Sequence, residues 1–255
     1  MTERQSFLRT AGDESSGRRT AKVLRNPYEA ASGDPHAPTL AGVSTIRSIA
    51  LVTTAPLVLA AAGLAHPHGL SRSTASDRTQ LHIALLPVFP LLTVGLLVPL
   101  WHRPRPGRTG FATVVAWAGA FVYAAFYTRL DAVAGIAAGT AVEHAGETAS
   151  LGPVKRPLYD TGEALGQAGA YALIAAIAAT AVALLPKYGA RILPGTVVLL
   201  AAGWSFVDSH IFWPRGVWTM LGFALGFALL AWGTAVERPT GMLHRHPAGG
   251  HGTGE

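Results

Sequence analysis

From Ile46 onward the chain alternates between apolar blocks of roughly bilayer length and polar connections that hold most of its charge. A helix of ~20 residues, rising ~1.5 Å per residue, covers the ~30 Å hydrocarbon core of a bilayer. The blocks therefore predict transmembrane helices over 46–65, 81–101, 111–131 and 164–186. The apolar stretch 192–236 is too long for one crossing, and Pro214, Arg215 and Gly216 divide it into helices over 194–213 and 217–236. Pro194 suits the first turn of the fifth helix, where a missing N–H removes no bond. A re-entrant hairpin around Pro214 is the alternative to two full crossings. The expected fold is all-α: a polytopic transmembrane bundle of about six helices across 46–236. The leader, 1–45, has too few apolar residues to offset the entropy of ordering and is expected to be disordered. The Gly- and His-rich tail, 237–255, reads the same way, and His244, His246 and His251 in it read as solvated residues.

Composition agrees, with 50% hydrophobic and only 13% charged residues. The net charge of +6 would suit a nucleic-acid partner, but no basic stripe interleaved with aromatics occurs. The basic residues sit beside apolar blocks, so the expected partner is the lipid bilayer. Loop charge then sets orientation. The 102–110 connection carries Arg103, Arg105 and Arg108 without an acid, and the 186–193 connection carries Lys187 and Arg191 without an acid. Both are expected in the cytoplasm. In the intervening loops Asp77 offsets Arg72 and Arg78, and four acids offset Lys155 and Arg156. With an even number of crossings, both termini of this multi-pass protein of the cell membrane fall in the cytoplasm. There is no cysteine, which removes disulfides, thiolate metal sites and cysteine nucleophiles together.

Small residues recur at four-residue spacing: Gly135 and Gly139, Gly162 and Gly166, Gly222 and Gly226. In lipid such faces let helices approach closely, either inside the bundle or between copies in a homo-oligomer.

An ionisable side chain at membrane depth is costly, so each one marks a candidate site. Under the expected topology these residues collect at the outer ends of the helices. His66 and His68 stand in LAHPHGL, where Pro67 pushes His66 into extended geometry and side chains two apart point the same way. His82 opens the second helix at the same depth. Asp208 and His210 lie near the outer end of the fifth helix, where residues two apart diverge by ~200° unless the helix ends near Ser209. His66, His68 and His82, with Asp208 or His210, are thus candidate ligands for Zn or Cu, which accept neutral imidazole and carboxylate. Asp131 shares a four-residue stripe with Tyr123, Tyr127, Gly135 and Gly139, a face too polar for lipid that is expected to point into the bundle.

These residues suit three functions: an outer-face transition-metal site, a small-molecule or ion transporter using Asp131, and a metal-dependent intramembrane hydrolase. Prolines at Pro56, Pro87 and Pro90 inside helices accord with transport. His66, His82, His210, Asp208 and Ser205 match the hydrolase in residue type. The simplest alternative is that interfacial His, Tyr and Asp mark the headgroup boundary. No GxSxG or HExxH string and no glycine-rich phosphate loop points to common soluble enzyme chemistry.

Overall fold

A computed structural model describes residues 40–101 and 106–235, with side chains from residue 44. Residues 1–39 of the leader and the whole tail, 237–255, both expected to be disordered, lie outside the described residues, as do Val236, Arg103 and Arg105, whereas residues 40–45 of the leader are helical.

The chain forms α1 (Leu40–Ala65), α2 (Ala75–Leu85), α3 (Val88–Leu91), α4 (Val94–Leu97) and a 3₁₀ turn (Val98–Leu100). Then follow α5 (Arg108–Leu130), a π-helical segment (Asp131–Ala137), α6 (Ala138–Glu143), α7 (Gly152–Tyr188) and a second 3₁₀ turn (Gly189–Ile192). The final helices are α8 (Leu193–Ser209) and α9 (Arg215–Ala235), and no strand occurs among the described residues. Among the described residues five helical stretches are long and apolar enough to cross a membrane: Ser44–Ala65, Ala75–Leu100, Arg108–Glu143, Gly152–Ser209 and Arg215–Ala235.

Several helices outrun the apolar blocks. α2 starts at Ala75 and takes in Asp77 and Arg78, the helical path begun by α5 runs on past Asp131 through the π-helical segment and α6 to Glu143, and α7 begins at Gly152 and includes Lys155, Arg156 and Asp160. Hydropathy stops at the first charges, whereas a helix propagates through Arg, Lys, Gln and Ala, which favour helical backbone. Within the second stretch Pro87 and Pro90 remove N–H donors and split the span into short pieces. Local hydroxyls take up carbonyls there: Thr93 Oγ1 donates to Pro90 O at 2.7 Å and the Tyr123 hydroxyl to Phe89 O at 3.2 Å.

The long helices pack α5 on α7, α1 and α8 on α9, and α7 on α8. Phe89, Tyr123, Tyr127, Phe206, Phe223 and Phe227 fill the centre, while Phe111, Phe121, Trp204, Trp218 and Trp232 face outward. Large apolar side chains on the outside and aromatic ones within suit a bundle solvated by lipid. All three glycine stripes are occupied within the chain. Gly162 and Gly166 meet Ala134 and Leu130, Gly222 and Gly226 meet Ala202 and Leu199, and Gly135 and Gly139 meet His82 and Thr79.

Candidate functional site

The site begins with the face of α5. Tyr123, Tyr127 and Asp131 follow one another at four-residue spacing and turn inward together, so the carboxylate lies at 0% exposure. At Asp131 the α-helix widens into a π-helical turn, a departure from regular geometry that recurs at functional sites. Gly135, inside that turn, has no side chain, and a Cβ there would collide with the His82 ring. The close approach lets α2 lie against the turn and sets His82, only 1% exposed, beside Asp131. His82 Nδ1 donates to Asp131 Oδ1.

His66 comes from the other direction, just after α1, where Pro67 ends the helix. It is 4% exposed, and its Nδ1 donates to the Pro67 carbonyl at 2.9 Å. Burial pulls its pKa down to about 4, against the raising effect of that hydrogen bond. Its Nε2 faces His82 Nε2 at 3.1 Å.

The hydrogen bonds of His66 and His82 assign their ring protons. A carbonyl oxygen only accepts, so His66 Nδ1 holds a proton and neutral His66 presents a lone pair at Nε2. An ionised Asp131 likewise assigns the Nδ1 proton to His82, which would leave two lone pairs opposed at 3.1 Å. The contact becomes favourable only with one further cation. A proton completes it, whether drawn on Asp131 or on His82, and so does a metal ion between the two Nε2 atoms. Asp131 Oδ2 is buried and finds no partner among the described residues, so the carboxylate keeps accepting capacity toward them.

His210 closes the group from α8. It ends the helix at φ 45°, a left-handed conformation uncommon for a residue with a side chain and often held at functional sites. Its Nδ1 bonds the Tyr127 hydroxyl at 2.7 Å, and its ring stacks on His82 with centroids 6.4 Å apart. Desolvation holds its pKa well below the ordinary value, with further lowering from His82 and His66. Beside these residues opens a cavity of about 510 Å³, lined by His82, Tyr127, His210, Arg78, Tyr159 and Phe212 among others.

No protein-family model, curated protein or solved structure matches the chain.

The structure brings together His66 and His82, with His210 stacked close by, and seats Asp131, Tyr123 and Tyr127 on the inward face of α5. It does not bring His68 or Asp208 to them. His68 is exposed at the cavity wall, because the turn after Pro67 directs it away from buried His66. Asp208 is exposed and lies 3.7 Å from Arg215, since α8 keeps helical geometry to Ser209 and the two side chains diverge. Among the described residues no three His, Asp or Glu side chains converge as metal ligands. Sequence reasoning missed two features: the pairing of Asp131 with His82, and Arg78, buried one turn before His82 on the same face of α2. The spacing of Arg78 and His82 was the available signal for the second.

Proposed function

We propose that the chain is a six-crossing transporter of the cell membrane in which Asp131, His82 and His66 bind the proton that couples movement of a small molecule held in the adjoining cavity. The observation that carries this reading is the opposition of two Nε2 atoms whose rings both spend Nδ1 on oxygen. A buried Asp–His–His chain that needs one proton to be complete is built to gain and lose it, and intramembrane Asp and His chains mark proton pathways.

Six crossings follow from dividing the stretch Gly152–Ser209, whose 58 residues would span about 87 Å as one helix. Gly189, at φ 63°, breaks it where α7 ends. With the basic connections after the second and fourth crossings in the cytoplasm, His66, His82, Asp131 and His210 lie toward the outer face.

A transition metal, Zn or Cu, is the second reading. Two imidazoles with Nδ1 committed to a carbonyl and a carboxylate have the outer-shell support typical of metal-bound histidine. Two ligands at ~2.0–2.1 Å in tetrahedral geometry would stand ~3.3 Å apart, near the 3.1 Å found. The proton is preferred because the described residues supply no third ligand.

Infrared difference spectra of the full-length protein in lipid nanodiscs, titrated with pH, test the choice alongside elemental analysis. The expected result is a protonation step that disappears in Asp131→Asn and is altered in His82→Gln, with less than stoichiometric metal. Stoichiometric Zn or Cu would move the site to the metal reading. A spectrum unchanged by Asp131→Asn would remove the triad from proton chemistry.

A further inference from the structure

A guanidinium cannot shed its proton in a protein, so a buried arginine must have its charge met. Arg78 is 7% exposed and makes no salt bridge among the described residues, the buried Asp131 carboxylate acting on it only at longer range. None of its five N–H donors makes a hydrogen bond there, and Nε is fully buried without one. The Tyr159 and Phe212 ring centroids lie 5.6 and 5.8 Å from the guanidinium carbon, so two ring faces meet part of its charge. Its N–H donors find no acceptor among the described residues beside the cavity that Arg78 lines. The acids on that wall are already engaged: Asp208 lies 3.7 Å from Arg215, and Glu163 accepts from Gln167 at 3.2 Å. A second cation, Lys155, stands on the same wall with Nζ donating to the Leu70 carbonyl at 3.0 Å.

We infer that the cavity binds a small organic anion, its carboxylate or phosphate seated on the edge of Arg78 and its apolar part along Leu130 and Phe206. The planar fork of arginine matches either oxyanion, and a charge-assisted pair in a site this dry is strong. The anion is a free solute or the headgroup of a lipid, since both present the same oxygens. This inference names the class of molecule for the cavity of the proposed transporter, but it stands on Arg78 and does not need the proton chain.

The test uses the full-length protein in neutral detergent and three probes: inorganic phosphate, benzoate and dihexanoyl phosphatidic acid. At least one should raise the thermal midpoint saturably. Arg78→Gln should weaken that probe about tenfold or more, as expected for loss of a charged hydrogen bond, while Arg129→Gln, at an exposed position, should not. Response to benzoate or inorganic phosphate identifies a free anion; response to the phosphatidic acid alone identifies a headgroup. Should Arg78→Gln fail to fold, the wild-type protein still answers through phenylglyoxal labelling, in which the bound probe should protect the peptide containing Arg78. No saturable response to any probe, an Arg78→Gln variant that binds like wild type, or no protection would overturn the assignment. Anion binding without a protonation step in the infrared would remove the relay and leave the anion site in place.

Discussion

His210 is the residue whose backbone, ring and charge state depend on one another. Its positive φ of 45° is a backbone conformation that few side chains adopt, and its Nδ1 sits where an amide oxygen could accept from Tyr127. Burial holds its folded pKa well below the ordinary 6.5, so the folded protein keeps the ring neutral while the unfolded chain takes up a proton. The resulting stability is fully present above pH 6.5 and is lost as pH falls toward the folded value. Thermal midpoints measured in detergent should therefore drop as pH is lowered from 7 to 5, roughly the range below the free histidine pKa. His210→Asn should reduce that slope but not abolish it, because His66 is buried neutral in the same way. Equal slopes for the two proteins would show that His210 does not contribute. At this scale the sequence was informative where a residue's neighbours lie on its own helix, as for Asp131 with Tyr123 and Tyr127. It was silent where partners come from another helix: nothing local to His82 indicates that Asp131, 49 positions away, receives its proton.

Among the elements, the π-helical turn and its glycine decide whether two helices can meet. The stripe Gly135 and Gly139 reads as a packing face, but the sequence does not say which helix fills it or that the backbone widens at Asp131. That choice depends on α2, which hydropathy truncates at 81 and the structure extends back to Ala75. Gly135→Ala places a methyl group where the His82 ring lies, so α2 must move away from the turn. Gly152→Ala adds the same atom where nothing lies within 4 Å. Gly135→Ala is expected to lower the thermal midpoint, at a cost of ~1–3 kcal/mol from overpacking, and to perturb the infrared band of Asp131, whereas Gly152→Ala should be near neutral. Matching behaviour of the two variants would mean that the turn accommodates a side chain.

For the whole molecule, alternating apolar blocks and loop charges were enough to anticipate an all-helical protein with bilayer-spanning elements, because lipid demands continuous internally bonded backbone. Where each helix ends was less legible, since charged residues beyond the bilayer continue a helix as readily as they form a loop. The number and direction of crossings are testable. Reporter fusions after Arg108, after Lys187 and at the C-terminus should report cytoplasm, and fusions near Ser76 and Thr148 should report the outside. A C-terminal fusion reporting outside would leave an odd number of crossings. Against the long α7 and the unbroken α9, the second span is jointed: the residues around Pro87 and Pro90 lack the continuous ladder that stiffens a helix. The second span is the most divided of the crossings, and His82 rides on the helical piece at its end. When surrounding lipids shorten or lengthen, the rods with intact ladders must tilt, while the jointed one can fold at its prolines. In the proposed transporter, membrane thickness is therefore expected to reach His82 as a displacement, which would make the surrounding acyl chains an input to the proton proposed there.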